Sequence, residues 1–157
     1  MSSAAPAIPE GQFVTLGLDG EVFAVPVNLV REILDSRRIT RLPEAPMHVL
    51  GLIDVRGRSV PVMDLRACLG MASSGCTEHT RILVLEVASQ GQPRVLGLMV
   101  DRVFEVRALD SATLEAPPDL GRNWRSEHLL GIGRQGDDFV LLLDIDRMFA
   151  AGSSFSF

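Results

Sequence analysis

Hydrophobic and polar positions along this chain come in short runs broken by glycine and proline, a rhythm that predicts strands rather than long helices. Phe-Val-Thr-Leu-Gly-Leu (13–18) and Glu-Val-Phe-Ala-Val-Pro (21–26) read as a β-hairpin, because Asp19-Gly20 between them supplies the φ > 0 positions of a tight type I′ turn. After Pro26, the residues Val27, Val30, Ile33 and Leu34 recur at helical spacing, which predicts a helix of two turns at most over 27–34. Residues 37–43 read as a strand carrying Ile39 and Leu42, and the two prolines of 43–46 demand a loop. A second hairpin follows, from 47–55 and 59–65, closed by Arg56-Gly57-Arg58. Pro61 lacks a donor, so its strand is expected at an edge or a bulge.

A short helical piece (65–70) leads into Met-Ala-Ser-Ser-Gly-Cys-Thr-Glu-His (71–79), a small-residue stretch that reads as a linker, and then the theme restarts. Strands are predicted at 81–87, 94–100 and near 103–109, followed by a Pro117-Pro118 loop, a hairpin around Gly136 and a terminal helical turn from Ile145. Roughly ten short strands at spacings near ten residues argue an all-β fold, a barrel or a sandwich. Two halves of about five strands each suggest two small barrels side by side, over about 12–76 and 77–150, with strands free to cross between them and a groove between them as the natural binding site. Residues 1–11 and 151–157 hold few core formers and are expected as flexible tails.

Composition narrows the function. The chain of 157 residues is 46% hydrophobic, enough for a real core, yet only 5% aromatic and without tyrosine, so base-stacking platforms are missing. A net charge of −5 is opposite to that of a phosphate binder, and nucleic acid is not an expected partner. All fifteen basic residues are arginine, which suits bidentate pairing with carboxylates at protein interfaces, although a GC-rich genome produces the same bias. The N-terminal stretch lacks a signal-peptide pattern and no apolar run reaches the roughly 18 residues of a membrane span, so a cytoplasmic protein without membrane insertion is expected.

Candidate chemistry is sparse. His48, His79 and His128 fall in no hydrolase or metalloprotease motif. Cys68, Cys76 and His79 lack the close cysteine pair and the fourth ligand of a structural zinc, so Cys68 reads as a buried small hydrophobe and Cys76 as a loop thiol. Asp54, Asp64, Asp101, Asp144 and Asp146 stand at predicted strand ends and turn starts, where aspartate caps. Gly131-Ile-Gly133 lies inside a hairpin and is no phosphate cradle. No cofactor, metal or catalytic residue is expected.

Taken together, Val-Arg-Glu-Ile (30–33), Gly-Leu-Ile-Asp-Val-Arg-Gly-Arg-Ser-Val-Pro-Val-Met-Asp-Leu-Arg (51–66), 94–103 and 128–149 resemble the CheW family, the coupling proteins of bacterial chemotaxis. The resemblance covers essentially all of 12–150 and implies one domain made of two five-stranded SH3-like barrels. It implies a non-catalytic adaptor between the cytoplasmic tips of chemoreceptors and the regulatory domain of a CheA-type histidine kinase, monomeric alone and assembled into membrane-associated arrays. It also implies that Glu32 and Arg56 form a functionally important pair and that Val30 and Ile33 help to build a receptor-binding groove. Gly51, Arg56, Gly57, Arg58 and Gly97 match positions that serve kinase binding or the fold.

Two departures stand out. Asp54-Val55 replaces the family's usual Asn-Leu before Arg-Gly, adding a negative charge beside the turn, and the 122–128 stretch with Trp124 matches no family signature. An adaptor of a non-flagellar chemosensory pathway, such as surface sensing or pilus control, has the same sequence features. A small enzyme built on the Asp and His residues would instead require those side chains to cluster in a pocket.

Overall fold

The structure is a computed structural model, describing residues 11–89, 91–110, 113–120, 128–150 and 155. It holds ten strands among those residues: β1 (Gly11–Leu18), β2 (Glu21–Pro26), β3 (Val30–Asp35), β4 (Val49–Val55), β5 (Arg58–Asp64), β6 (Arg81–Ser89), β7 (Gln92–Val100), β8 (Arg102–Leu109), β9 (Leu129–Gln135) and β10 (Asp138–Leu143). Two four-residue helices, α1 (Leu65–Cys68) and α2 (Ile145–Met148), follow β5 and β10. Asp64 and Asp144 cap them, each accepting a hydrogen bond from a backbone N–H of the first turn, Arg66 and Arg147, at 3.1 Å.

The strands form two five-stranded sheets, in the orders β8-β1-β2-β10-β9 and β3-β6-β7-β5-β4. Division at residue 76 therefore does not describe the pairing, which crosses over. β10 lies parallel to β2, with Leu141 opposite Phe23, and β5 lies parallel to β7, with Val62 opposite Gly97. Each parallel pair joins strands far apart in sequence, so short antiparallel hairpins supply the local pairing and the crossover supplies the architecture. The three predicted hairpin turns are present, with positive φ at Asp19, Gly20, Arg56, Gly57 and Gly136. The two sheets share one aliphatic core in which Leu16, Leu18 and Phe23 meet Met63, Leu85 and Leu98, all nearly inaccessible.

Three local expectations are corrected. Residues 27–34 hold a single 3₁₀ turn, Val27–Leu29, and then strand β3, because the β-branched Val30 and Ile33 fit a pleated surface and β6 offers a free ladder. Val30 then packs on the shared core while Ile33 is 44% exposed, so the two do not share an apolar helical face. Residues 37–43 form no strand; only Thr40 bridges, to Leu52. Pro61 lies on an interior strand, in the part of β5 that precedes its ladder with β7 at Val62–Asp64, where a missing N–H costs no pairing.

The β9–β10 hairpin with α2 repeats the β4–β5 hairpin with α1. His48, Gly51, Val60 and Asp64 recur at one constant spacing as His128, Gly131, Val140 and Asp144, and the burial pattern of β4 is identical to that of β9. Asp64 N donates to His48 O at 2.8 Å, and Asp144 N donates to His128 O at 2.9 Å. Phe155, inside the segment expected as a loose tail, sets its ring 5.0 Å from His48 and 5.5 Å from His128. Burial lowers the pKa of His48. The expectations for residues 1–10 and for Trp124 fall outside the described residues.

Arg66, the last residue of the resemblance stretch, is buried and joins the two sheets. Its Nε and Nη2 donate to both carboxylate oxygens of Asp101 (2.8 and 2.6 Å), Nη2 also donates to Asp19 at 2.7 Å, and Nη1 donates to Ala72 O at 2.9 Å. Asp19 belongs to the β1–β2 turn and Asp101 to the β7–β8 corner, so one guanidinium pins a turn and a corner against α1. Hydrogen bonding to Arg66 holds the Asp101 carboxyl below the usual carboxylate range. A depressed folded-state pKa gives stability that is full above the unfolded pKa and is lost as pH falls through the folded one. Asp101→Asn should thus flatten the acid side of the stability–pH curve below about pH 4; urea titrations showing equal acid slopes for variant and wild type would refute this.

The cysteines divide as their surroundings dictate. Cys68 is buried and Cys76 exposed. Burial, with help from the Asp64 charge, pushes the Cys68 thiol up to about 12. A thiol reagent at neutral pH should modify Cys76 alone in the native protein and both cysteines in denaturant. Rapid double labelling of the folded protein, followed by mass spectrometry, would show that α1 opens readily.

Candidate functional site: a groove beside the β4–β5 turn

The β4–β5 hairpin ends in Arg56-Gly57, and its tip is shaped by the residue two positions before Arg56. Asp54 Oδ1 accepts the Gly57 N–H at 2.9 Å, so the carboxylate that departs from the family's usual asparagine caps the turn in the way an asparagine carbonyl would. Arg56 itself has φ of 51°, in the left-handed region of a tight turn. The guanidinium reaches β3, where Arg56 Nη1 donates to Glu32 Oε2 at 2.5 Å. It is a single contact rather than a bidentate fork. The Arg56 side chain is 78% exposed and that of Glu32 22%, so the carboxylate is the anchored partner and the guanidinium the presented one.

The pair spans one wall of a groove of about 520 Å³. Val55, Val60, Val84 and Val95 give it an apolar floor, and Arg31, Arg56 and Arg58 stand around it. Arg31 pairs with Glu86 on the neighbouring strand β6. β3 therefore carries Arg31 and Glu32 into two separate ion pairs, made possible by a register shift between Val30 and Glu32. An apolar trough with a charged rim suits a partner helix or strand better than a small metabolite.

The sequence-expected residues divide between this groove and the sheet behind it. Glu32, Arg56 and Arg58 line the groove, with Gly57 at the turn between them. Val30 and Ile33 are not in its lining. Gly51 and Gly97 lie in the sheet: a Cβ on Gly51 would stand 2.1 Å from Thr40 O, and one on Gly97 would stand 2.9 Å from Ile82 Cγ2. Close approach accounts for glycine at both. Sequence reasoning missed Arg31, Glu86, Val84 and Val95; the available signal was the alternation of β6, which puts Val84 and Glu86 on one face. It also missed the Arg66 clamp, whose signal was an arginine inside the apolar run that follows Asp64.

The remaining acids serve local structure. Asp54, Asp64 and Asp144 accept backbone N–H groups, Asp101 meets Arg66, and Asp146 accepts the Ala88 N–H at 3.4 Å. Burial raises the pKa of Asp144. Among the described residues no helix is long and apolar enough to cross a membrane.

Comparison with known proteins places this geometry in context. The CheW-like domain family matches residues 12–153. The chain is 29% identical over 151 residues to the chemotaxis protein CheW of Rhizobium meliloti (strain 1021), covering 95% of each chain. It is 33% identical over 129 residues to protein FrzA of Myxococcus xanthus, covering 82% of this chain and 78% of that one. In three dimensions it is similar to the crystal structure of the scaffolding protein TtCheW from Thermoanaerobacter tengcongensis, with a TM-score of 0.79 and 26% identity over 98% of this chain and 96% of that one.

Proposed function

Because the chain belongs to the CheW-like domain family, we propose that it is a chemotaxis coupling adaptor that joins chemoreceptor cytoplasmic tips to the regulatory domain of a CheA-type histidine kinase. The observation that carries this reading is the meeting of Glu32 and Arg56. Two residues singled out by the resemblance, one on β3 and one in the β4–β5 turn, close a bridge beside a groove with an apolar floor. The bridge is exposed, and an exposed pair is worth only about 0–1 kcal/mol, so it serves to position the groove wall rather than to hold the fold. Val30 supports β3 from the core side, and Ile33 offers an exposed apolar side chain on the same strand.

The adaptor acts without catalysis, in the cytoplasm, and is drawn to the membrane by the receptors it binds. Kinase contacts fall at the exposed hairpin tip, Arg56 to Ser59, with Gly51 and Gly97 holding the sheet that carries it. Individual contacts of modest affinity suffice, since a monomer with two binding faces gains from proximity in an array. An adaptor of a non-flagellar pathway uses the same surfaces and differs only in its partners.

The test is a pull-down at physiological salt with a chemoreceptor cytoplasmic fragment and a kinase regulatory domain from the same genome. Retention of both, and of a ternary complex when they are mixed, is the expected result. Retention of neither would leave the fold and discard the adaptor role.

A further inference from the structure

The segment between β3 and β4 carries three arginines against one glutamate, in a chain whose net charge is −5. Arg37, Arg38 and Arg41 are all exposed, and no hydrogen bond or ion pair joins their side chains to another described residue. Arg31, Arg56, Arg66, Arg81, Arg107 and Arg134 by contrast all meet carboxylates. Beside the unpaired arginines lies a groove of about 450 Å³, which Arg37 and Arg41 themselves line together with Ile39, Leu42, Met47 and Leu50. Met47 is 94% exposed and Leu42 38%, so apolar surface and uncompensated positive charge occur side by side. Its lining shares no residue with that of the Glu32–Arg56 groove.

We propose that this second groove docks an acidic, amphipathic segment of a partner protein, whose carboxylates pair with Arg37, Arg38 and Arg41 while its apolar side chains cover Leu42 and Met47. Guanidinium groups match carboxylates bidentately, and an unbranched methionine adapts to the shape of an apolar anchor. The site is concave, which favours a peptide over the flat surface of a lipid bilayer. This goes beyond the adaptor reading and does not need it, because it names a separate surface and the chemistry of what fills it.

Cys76 lines the groove and is exposed, whereas Cys68 is buried, so an environment-sensitive fluorophore can be placed on Cys76 alone. The labelled protein is titrated with a synthetic amphipathic helix bearing Glu on its polar face and Leu on its apolar face, with the Lys counterpart, and with vesicles of phosphatidylglycerol and phosphatidylcholine. Calorimetry on unlabelled protein with the same peptides controls for the dye. The acidic peptide should give a saturable response and the Lys peptide none. Raising salt from about 0.1 to about 1 M should weaken binding, as the screening length falls from roughly 10 to roughly 3 Å. Combined Arg37→Glu, Arg38→Glu and Arg41→Glu should weaken it by about tenfold or more, and Arg134→Glu, on β9 of the other sheet, should leave it unchanged. Equal responses to both peptides, or an unaffected triple variant, overturn the proposal; a response to anionic vesicles alone replaces it with a membrane contact. If the acidic peptide binds as expected while receptor fragment and kinase domain are both ignored, the adaptor reading fails and the docking groove stands.

Discussion

Alanine at position 51 should lower the unfolding free energy by about 3–5 kcal/mol, at or above the top of the usual range for a single substitution. Two costs combine. The backbone at Gly51 has φ of 144°, which L side chains rarely adopt, and the added Cβ would stand 2.1 Å from the Thr40 carbonyl oxygen. Relief requires moving Thr40, whose N–H and carbonyl both bond to Leu52 at 2.8 Å. Strain of about 1–3 kcal/mol and two weakened backbone hydrogen bonds at about 1 kcal/mol each give the total. For a domain of this size that corresponds to a melting temperature lower by roughly 10 °C. Gly57 supplies the contrast, because its φ is also positive but a Cβ there meets nothing within 4 Å. Gly57→Ala should cost only about 1–2 kcal/mol. Calorimetry of both variants decides the matter, and equal losses would show that the Thr40–Leu52 bridge yields without resistance.

Arg56→Glu should weaken retention of the receptor fragment by more than about tenfold while leaving the fold intact. The substitution sets a carboxylate against Glu32, which is the less exposed of the two side chains and has little freedom to withdraw. Stability should change by no more than about 1 kcal/mol, since the native pair is exposed. Circular dichroism and a urea midpoint separate a lost surface from a lost fold. The exchanged pair, Glu32→Arg with Arg56→Glu, distinguishes two roles for the bridge. Recovery of binding would show that the bridge matters as a strut, and failure to recover would show that the guanidinium itself faces the receptor. Unchanged binding by Arg56→Glu would remove the groove from the receptor interface altogether.

Much of the fold was legible because it is written in local signals. Asp19-Gly20 and Arg56-Gly57 fix turns at their own positions, and the alternation beside them fixes the strands. The segment 27–34 misled because Val30, Ile33 and Leu34 satisfy a helical spacing by coincidence, and what decides for strand is the ladder offered by β6, some fifty residues away. The same distance effect hid the parallel pairings of β10 with β2 and β5 with β7, which no local pattern announces. Of the candidate site, Glu32 and Arg56 came from resemblance and proved to touch. The valine floor and Arg31–Glu86 were hidden because their relation exists only once β3, β6 and β7 lie side by side.

The crossover also sets an order of events during synthesis. One sheet, β3-β6-β7-β5-β4, is drawn from an unbroken stretch of chain and can close as soon as β7 has left the ribosome. The other keeps β2 waiting for β10, with Phe23 and Ala24 lacking their cross-strand neighbours until the last strand emerges. Its long-range closure is the slow step expected of high contact order. In that interval the exposed edge of β2 is the part of the nascent protein most open to mispairing, and chaperone capture would be expected there before anywhere else.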